Sequence, residues 1–407
     1  MFDDLETPAY VYDLDELRRC HARLHRALPA PSELYYSFKA NPHPVLAETL
    51  RRAGCRAEVC SPGELGTALD AGFDPEHILY TGPGKRDRDV AEAVKSGVTW
   101  FSVDSPHGLD QIDRVAAGLG SPARCLLRVN DTTPVPGQGL TMTGVASQFG
   151  ADADWIMAEP ERFAGRRHAA LAGLHLYMGS NVADEAALLA QLGQSVRTAR
   201  RLAGALGTEP AVLDLGGGFA APFARAGRPA DYPGLAGALA ALLDADFPGW
   251  RRGSPRVAFE SGRALVAGCG TLLTRVLDAK TSQATHIQVL ESGINHLGGM
   301  SGLRRLPAVV PTLLAEGEPE PVGPAIITGP LCTPLDTWAR GVTAPRVRPG
   351  DLVRVPNVGA YGLSASLLAF LGHPAPVEAV VEDGRIVHTS RLTMRREPIA
   401  AGQEGRR

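Results

Sequence analysis

Short apolar runs alternate with amphipathic stretches over the first two thirds of the chain. The apolar runs predict strands at about 34–39, 57–60, 77–81, 98–103, 123–130, 171–177, 211–215 and 256–260. Helical spacing of apolar residues between them predicts helices, the clearest at 43–53, 63–71, 85–96, 107–118 and 184–206. Strands that alternate with helices in this way predict a closed parallel (β/α)8 barrel, with a doubly wound open sheet as the competing architecture.

The pattern is different at both ends of the chain. Residues 8–12 predict a strand, and the capping-box pattern from Asp13 to Glu16 predicts the start of a helix. After about residue 266, strand-like runs separated by turn residues replace the helical periodicity, at 271–277, 285–291, 324–328, 351–355 and 376–381. We therefore predict an N-terminal strand and helix (1–28) whose strand joins the β domain, a barrel (29–265), a C-terminal β domain (266–394) and a flexible tail (395–407).

Composition and charge exclude several classes of protein. The chain has 407 residues, 44% of them hydrophobic, and a formal net charge of −3 without a basic stripe, so nucleic acids and anionic membranes are not expected partners. No apolar run reaches the roughly 18 residues of a membrane span, and the acidic N-terminus does not resemble a signal peptide. The six cysteines form no C-x-x-C pair, which disfavours zinc and disulfides and favours a cytoplasmic protein.

The chemistry is predicted at the carboxyl ends of the strands, where barrels of this class carry their active sites. Lys39 ends the first predicted barrel strand, and on its own it is better explained as a solvated lysine; only the ends of the other strands favour a catalytic role. The glycines of 216–218 follow the seventh strand, where barrels often bind phosphate, although a tight turn would also explain them. Glu260 ends the eighth strand and needs a partner, either a pyridine nitrogen or Arg263. An amine, a phosphate cradle and an acid at one rim predict a site for pyridoxal 5′-phosphate (PLP).

Two stretches of the β domain add candidate residues. Cys332 lies in a loop bounded by prolines, whereas Cys20 and Cys125 are expected to be buried. Tyr361 lies among small residues, which suits contact with a phosphate or substrate but also simple packing. The long stretch 131–150, rich in glycine and proline, is predicted to be a lid or binding loop.

Taken together, these segments resemble one known family along nearly the whole chain. The matching segments, in family order, are YYSFKANP, AEVCSPGEL, YTGPGK, GLHLYMGSN, DLGGGF, ESGR, GPLCTPLD and GAYGLSAS. They resemble the PLP-dependent decarboxylases of fold type III, the alanine racemase fold, in the group of diaminopimelate and ornithine/arginine decarboxylases. The resemblance implies a PLP-binding barrel, a β domain and a homodimer with shared active sites.

The resemblance also implies a role for each matching residue. Lys39 looks like the Schiff-base lysine, and Cys332 looks like the acid that is donated across the dimer interface to protonate the product. The other residues implied to bind the cofactor are Glu58, Arg128, Tyr177, Ser180, Gly216, Gly217, Gly218, Glu260, Gly262, Arg263 and Tyr361. Thr333 and Asp336 are predicted to bind the substrate.

Three positions depart from the family pattern. Tyr177 replaces the histidine that stacks on the cofactor ring, and Glu58 replaces a common aspartate. Thr333 replaces the carboxylate that would meet the distal amine of a diamino substrate, which disfavours lysine, ornithine, arginine and diaminopimelate. The strings GPLCTPLD, GAYGLSAS and FLGHPAPVE instead resemble a branch in natural-product or siderophore biosynthesis, whose substrates include a glutamyl group on an acyl carrier protein. The alternatives are a decarboxylase of basic amino acids, a racemase on the same fold and a non-catalytic PLP carrier; the last lacks a β domain and a cysteine loop.

Overall fold

The computed structural model describes residues 5–131, 133, 140–141, 146–298 and 309–398. The chain divides into two compact units. We call Tyr12–Thr271 with Pro356–Ser364 the barrel unit, and Met1–Val11, Leu272–Val355 and Ala365–Arg407 the β unit. The boundaries proposed from the sequence remain predictions.

The elements up to residue 266 follow one another in strand–helix order. The strands are β1 (Ala9–Asp13), β2 (Glu33–Ser37), β3 (Arg56–Val59), β4 (Ile78–Tyr80), β5 (Trp100–Val103), β6 (Ala123–Asn130), β7 (Leu140–Thr141), β8 (Ala151–Asp152), β9 (Ala169–Leu176), β10 (Gly179–Ser180), β11 (Val212–Asp214) and β12 (Arg256–Ser261). The helices are α1 (Leu14–Ala27), α2 (Pro44–Arg52), α3 (Pro62–Asp70), α4 (Asp87–Lys95), α5 (Pro106–Leu119), α6 (Ala153–Ala158), α7 (Glu185–Leu206), α8 (Leu235–Asp246) and α9 (Arg263–Val266).

The predicted parallel barrel is confirmed. Among the described residues the strand order is β5-β4-β3-β2-β12-β11-β9-β6, with β8 added at β6, and pairing of β5 with β6 closes the ring. Every pair in this ring is parallel. One apolar layer of the barrel core consists of Tyr35, Leu79, Trp100, Leu126, Val212 and Ala258, so the barrel is filled by side chains as expected for eight strands.

The sequence specifies the helix ends through caps. The side chains of Ser61 and Ser105 each accept a backbone N–H, and proline occupies the first turn of α3 and α5. Gly120 and Gly207 end α5 and α7 in the left-handed conformation, which glycine adopts without steric penalty. These signals lie in the printed sequence, and they explain why most helices lie within two residues of their predicted bounds.

The β unit contains a mostly antiparallel sheet. Its further strands are β13 (Gly270–Ser282), β14 (Thr285–Leu290), β15 (Leu314–Ala315), β16 (Pro321–Thr328), β17 (Thr337–Pro345), β18 (Leu352–Val355), β19 (Val377–Glu382) and β20 (Arg385–Arg391). The sheet order is β17-β16-β14-β13-β1-β19-β20, with β18 paired to β13 and β15 paired to β18. β1 thus lies between β13 and β19, and a cluster of Ala9, Val11, Leu273 and Val381 fills this part of the core.

Some elements differ from the sequence prediction. The first barrel strand ends at Ser37, two residues earlier than predicted, because Phe38–Ala40 form a single 3-10 turn. β17 and β20 were not predicted, since β17 lacks a continuous apolar pattern and β20 is largely exposed. Most of the predicted lid at 131–150 lies outside the described residues, as does the tail beyond residue 398.

Candidate active site

Lys39 projects from the turn that follows β2, and not from the strand itself as predicted. The chain around it is held firmly by Asn41. The Asn41 carbonyl accepts the Tyr36 hydroxyl at 2.5 Å, and the Asn41 side chain donates to the Gly359 carbonyl at 2.9 Å. Because these groups are buried, their hydrogen bonds fix the direction of the turn. The Lys-Ala-Asn-Pro segment therefore positions one amine at the carboxyl end of the barrel.

Glu58 is the charged partner of Lys39. The Lys39 Nζ atom lies 3.5 Å from Glu58 Oε2, and the Lys39 side chain is 43% exposed while that of Glu58 is 2% exposed. Glu58 Oε1 accepts hydrogen bonds from Thr81 Oγ1 at 2.5 Å and from Cys60 Sγ at 3.2 Å. Burial raises the pKa of Glu58, but Lys39 and these hydrogen bonds outweigh it and lower the pKa to about 2. Burial likewise opposes the charge on Lys39, and Glu58 outweighs it, so the pKa of Lys39 is raised.

The glycine turn at 216–218 follows β11 directly. Gly216 has a φ of 64° and Gly218 a φ of 112°, backbone conformations that glycine adopts at little cost. A Cβ atom at Gly216 would lie 2.6 Å from Tyr177 Cδ2, and one at Gly217 would overlap the Glu260 carbonyl oxygen. No described helix begins directly after this turn, since α8 begins only at Leu235. Donors to a phosphate here would be backbone N–H groups of the turn and not a helix N-terminus.

Glu260 belongs to a buried polar cluster inside the barrel. Its Oε1 atom lies 3.4 Å from His175 Nε2, and the described structure provides no hydrogen-bond partner for either atom. Asp214 lies at the same level, because Asp214 and His175 pair in register between β11 and β9. Donor atoms of His175, Asp214 and Glu260 all lie within 4.8 Å of one another. The alternative pairing of Glu260 with Arg263 is not what the structure shows.

Burial shifts the pKa values of all three groups toward their neutral forms. It raises the pKa of Glu260 well above its ordinary value, with Glu58 and Asp214 adding to the effect. It raises the pKa of Asp214 to about 7, although the Gly216 N–H donates to that carboxylate. Burial and the nearby Arg128 lower the pKa of His175 well below its ordinary value. A cationic ring N–H facing Glu260 would restore its ionised form.

Two arginines contact aromatic rings at the same mouth. The Arg128 guanidinium lies 4.7 Å from the ring centre of Phe149 and 5.9 Å from that of Tyr177. The Arg263 guanidinium lies 4.8 Å from the ring centre of Tyr361. Tyr361 has a φ of 55° and donates its N–H to the Ala40 carbonyl at 2.8 Å. This left-handed backbone is strained for a tyrosine and is the kind of strain found at functional sites.

The residues at this mouth fit PLP. Buried Glu260 Oε1 and Arg263 Nε have no hydrogen-bond partner among the described residues, and leaving such groups unpaired in a folded protein is unfavourable by about 1–3 kcal/mol each. The turn at 216–218 forms a cradle that side chains would fill, and Ser180 ends the short strand β10, next to the Gly179 carbonyl that borders Gly218. Gly262 packs against Ala40, which keeps the turn of Lys39 close to β12. The site thus offers an amine, an anion cradle and an acid.

Sequence reasoning missed several residues of this site: the polar Cys60, Thr81, Ser102, His175 and Asp214, and the aromatic Phe149. His175 and Asp214 lie inside motifs that the sequence analysis used, GLHLYMGSN and DLGGGF, and their positions at strand ends were the available signal. Thr81 and Ser102 gave no signal, because a single hydroxyl at a strand end is common in any barrel. Their roles become visible only through the partners of their side chains.

The remaining candidate residues belong to the β unit. Cys332 is exposed there, whereas Cys20 and Cys125 of the barrel unit are buried, as the sequence predicts. Asp336 is completely buried; its Oδ1 atom accepts the Ile294 N–H at 2.8 Å and its Oδ2 atom accepts the Leu331 N–H at 2.7 Å. These contacts support a role for Asp336 in shaping the loop 329–336, and its predicted role in substrate binding remains untested.

Comparison with known proteins agrees with this geometry. Residues 14–267 match the family model described as "Pyridoxal-dependent decarboxylase, pyridoxal binding domain". The chain is 31% identical to L-glutamyl-(BtrI acyl-carrier protein) decarboxylase of Niallia circulans, covering 93% of this chain and 90% of that protein. It is also 31% identical to diaminopimelate decarboxylase of Methanothermobacter thermautotrophicus, covering 94% of this chain and 89% of that protein.

The fold agrees as well. Diaminopimelate decarboxylase of Helicobacter pylori, solved in complex with L-lysine, matches with a TM-score of 0.80 and 25% identity over 95% of this chain and 94% of that one. No helix in the described part of the chain is long and apolar enough to cross a bilayer. The chain belongs to the family of pyridoxal-dependent decarboxylases with the alanine racemase fold, and it is a PLP-dependent amino acid decarboxylase.

Proposed function

We propose that this decarboxylase acts on an amino acid derivative whose distal end carries no positive charge, with a glutamyl group on an acyl carrier protein as the leading candidate. The observation that carries the proposal is the loop 329–336. Thr333 offers a neutral side chain, and the carboxylate of Asp336 is buried with both oxygens bonded to backbone N–H groups. The loop therefore presents no exposed anion to a distal ammonium group. The Niallia circulans relative, an L-glutamyl-(BtrI acyl-carrier protein) decarboxylase, supports this substrate class.

Within the barrel we propose the following division of roles. Lys39 holds the cofactor aldehyde, with Glu58 as its charged neighbour. The turn at 216–218, Ser180, Gly262, Arg263 and Tyr361 surround the phosphate, and Tyr177 and Arg128 line the ring. The Glu260 carboxylate would accept a hydrogen bond from the protonated ring nitrogen and keep that nitrogen protonated. When bound, the cofactor supplies an electron sink for the pair released as the α-carboxylate leaves.

We further propose that Cys332 donates the proton that replaces the carboxylate, in a homodimer whose active sites are shared. The thiol of Cys332 is exposed. It can reach the substrate only if the loop 329–336 borders an active site. Exposed apolar side chains support an interface on this face: Leu335 is 77% exposed and Leu367 is 43% exposed. Ile294 connects their chain segments, because its N–H donates to Asp336, the residue after Leu335, and its carbonyl accepts the Leu367 N–H at 3.3 Å. We also propose that the enzyme acts in a biosynthetic pathway and is located in the cytoplasm.

The substrate proposal is tested by CO₂ release from a matched panel. The panel contains L-glutamate, L-glutamine, L-glutamyl acyl carrier protein, meso-diaminopimelate and L-lysine, each presented to the PLP-loaded enzyme. We expect the highest kcat/KM for a substrate without a distal ammonium group. A strong preference for diaminopimelate or lysine would contradict the proposal.

A loop variant sharpens the same test. Thr333→Asp restores an anion at the position where a distal ammonium group would lie, so turnover of diamino acids should rise by about tenfold, the effect of one favourable charge contact. Thr343→Asp places the same charge on an exposed position of β17 and should leave the substrate preference unchanged. Equal effects of the two variants would show that Thr333 does not face the substrate.

A further inference from the structure

His175 is a buried titratable group that the proposed roles leave without a function. It lies on β9 between Arg128 of β6 and Asp214 of β11, with which it pairs in register. Its side chain is 1% exposed, so it contacts no solvent and does not reach a substrate that enters from the mouth. Its contacts with other side chains must therefore explain why a polar ring occupies this layer of the barrel.

The two ring nitrogens of His175 face different partners. Nδ1 lies 2.9 Å from the Ser102 hydroxyl oxygen, and Nε2 lies 3.4 Å from Glu260 Oε1. Ser102 is itself buried, and its carbonyl accepts a hydrogen bond from Lys85 Nζ at 2.6 Å. A row of polar groups thus extends from Lys85, the last residue of the YTGPGK segment, past Ser102 and His175 to Glu260.

The proton on this ring has only one arrangement that suits an ionised Glu260. The titratable groups around His175 are the carboxyl groups of Glu260, Asp214 and Glu58 and the cations Arg128, Lys39 and Lys85. Burial and the cations outweigh the carboxyl groups, so the ring is neutral and carries one N–H. If that proton were on Nδ1, the Nε2 lone pair would face a carboxylate oxygen. With the proton on Nε2, the ring donates toward Glu260, and the Ser102 hydroxyl donates to Nδ1.

We propose that His175 is a positioning residue that holds the Glu260 carboxylate ionised and aligned toward the cofactor ring nitrogen, with Ser102 selecting its tautomer. The unpaired atoms explain the arrangement: His175 Nε2 and Glu260 Oε1 face each other and find no other hydrogen-bond partner in the described structure. A small closing movement would turn their 3.4 Å separation into a hydrogen bond. His175 would then orient Glu260 through a hydrogen bond, in the way that residues around a metal site orient the metal ligands.

A double-mutant cycle tests this role. His175→Phe, Glu260→Gln and the double variant are titrated with PLP, and both the apparent dissociation constant and the visible absorption of the bound cofactor are recorded. Alone, His175→Phe should weaken cofactor binding by about tenfold, the loss of one hydrogen bond to a charged group, and shift the absorption. In the Glu260→Gln background it should change neither, because its target is already neutral. Equal effects in both backgrounds would overturn the proposal.

Two gentler variants keep the test meaningful if His175→Phe fails to fold. His175→Gln retains an N–H donor and should restore most of the absorption, and Ser102→Ala should shift it in the same direction as His175→Phe, by less. Ser195→Ala removes a hydroxyl equally buried on α7 and should leave both readouts unchanged. A divalent metal found in stoichiometric amount in the PLP-loaded enzyme and lost in His175→Gln would also overturn the assignment, since it would give these atoms a different ligand.

Discussion

Buried carboxylates at the barrel mouth and in the loop 329–336 differ in how completely their oxygens are hydrogen-bonded. In the barrel, one oxygen each of Glu58, Asp214 and Glu260 is buried without a hydrogen bond among the described residues. In the loop, both oxygens of Asp336 accept backbone N–H groups. A saturated carboxylate stabilises its own chain segment, whereas an unsaturated one is unfavourable until a ligand arrives. The comparison indicates that cofactor chemistry is fixed in the barrel and that the loop is a rigid support for exposed side chains.

The largest expected effect is that of Lys39→Ala. We propose that this amine holds the cofactor, so the variant should lose CO₂ release and the visible absorption of bound PLP together. Glu58 would also lose its cationic partner, and its pKa should rise from about 2 because burial would then dominate. Lys280→Ala, at an exposed lysine of β13, is the matched control and should retain both signals. CO₂ release that survives in Lys39→Ala would refute the assigned role.

Gly217→Ala should have the next largest effect. The added methyl would overlap the Glu260 carbonyl oxygen, so the turn must move away from β12. Overpacking of this kind destabilises a protein by about 1–3 kcal/mol, and here it also displaces the cradle, so PLP affinity should fall by at least tenfold. Gly204→Ala on α7 adds the same methyl where nothing lies within 4 Å, and should stabilise the protein by about 0.5–1 kcal/mol. Unchanged PLP affinity in Gly217→Ala would contradict the cradle.

Asp336→Asn tests the other half of the comparison. The amide retains one acceptor but points an N–H at a backbone N–H, which should destabilise the β unit by about 1–3 kcal/mol. Gly293 and Gly329 pack so closely against this carboxylate that it cannot turn aside. We expect faster hydrogen exchange in 329–336, a lower kcat through displaced Cys332, and unchanged PLP absorption. Asp351→Asn is the control, because the Asp351 side chain accepts the Arg348 N–H in an exposed turn. Loss of PLP absorption in Asp336→Asn would show that the barrel mouth and the loop 329–336 are not independent.

The sequence predicted the barrel and its cofactor chemistry more completely than it predicted the side-chain hydrogen bonds that hold Lys39 and Asp336 in place. Apolar periodicity and caps located the barrel strands, and the strand ends located Lys39, the glycine turn and Glu260. The pattern could not show that Lys39 follows the strand in a 3-10 turn, because that depends on the hydrogen bonds of Asn41 with Tyr36 and Gly359. Nor could it separate Asp336 from a substrate ligand, since burial and backbone partners are properties of the folded loop.

The smallest expected effect concerns Glu64, whose carboxyl group lies near the ion pair of Lys39 and Glu58. Burial raises its pKa from 4.5 to about 7, and Glu58 adds to the rise, although the Cys60 N–H donates to it at 2.7 Å. Because the folded protein binds this proton more tightly than the unfolded chain, Glu64 favours folding fully below about pH 4.5, and that contribution is lost as pH rises through 7. Glu64→Gln should therefore gain stability relative to the parent protein at about pH 8, on the order of 1 kcal/mol, and little at about pH 4.5.

Denaturant unfolding of Glu64→Gln at these two pH values measures the difference. Glu48→Gln, at a partly exposed glutamate of α2 paired with Arg52, should show no such pH dependence. Glu64 is partly buried and Glu58 is fully buried. Their pKa values nevertheless move in opposite directions, because only Glu58 forms an ion pair with Lys39. If Glu64→Gln instead loses stability as pH rises, Glu64 is ionised in the folded protein. The negative charge around Lys39 would then be larger than the contacts of Glu58 alone indicate.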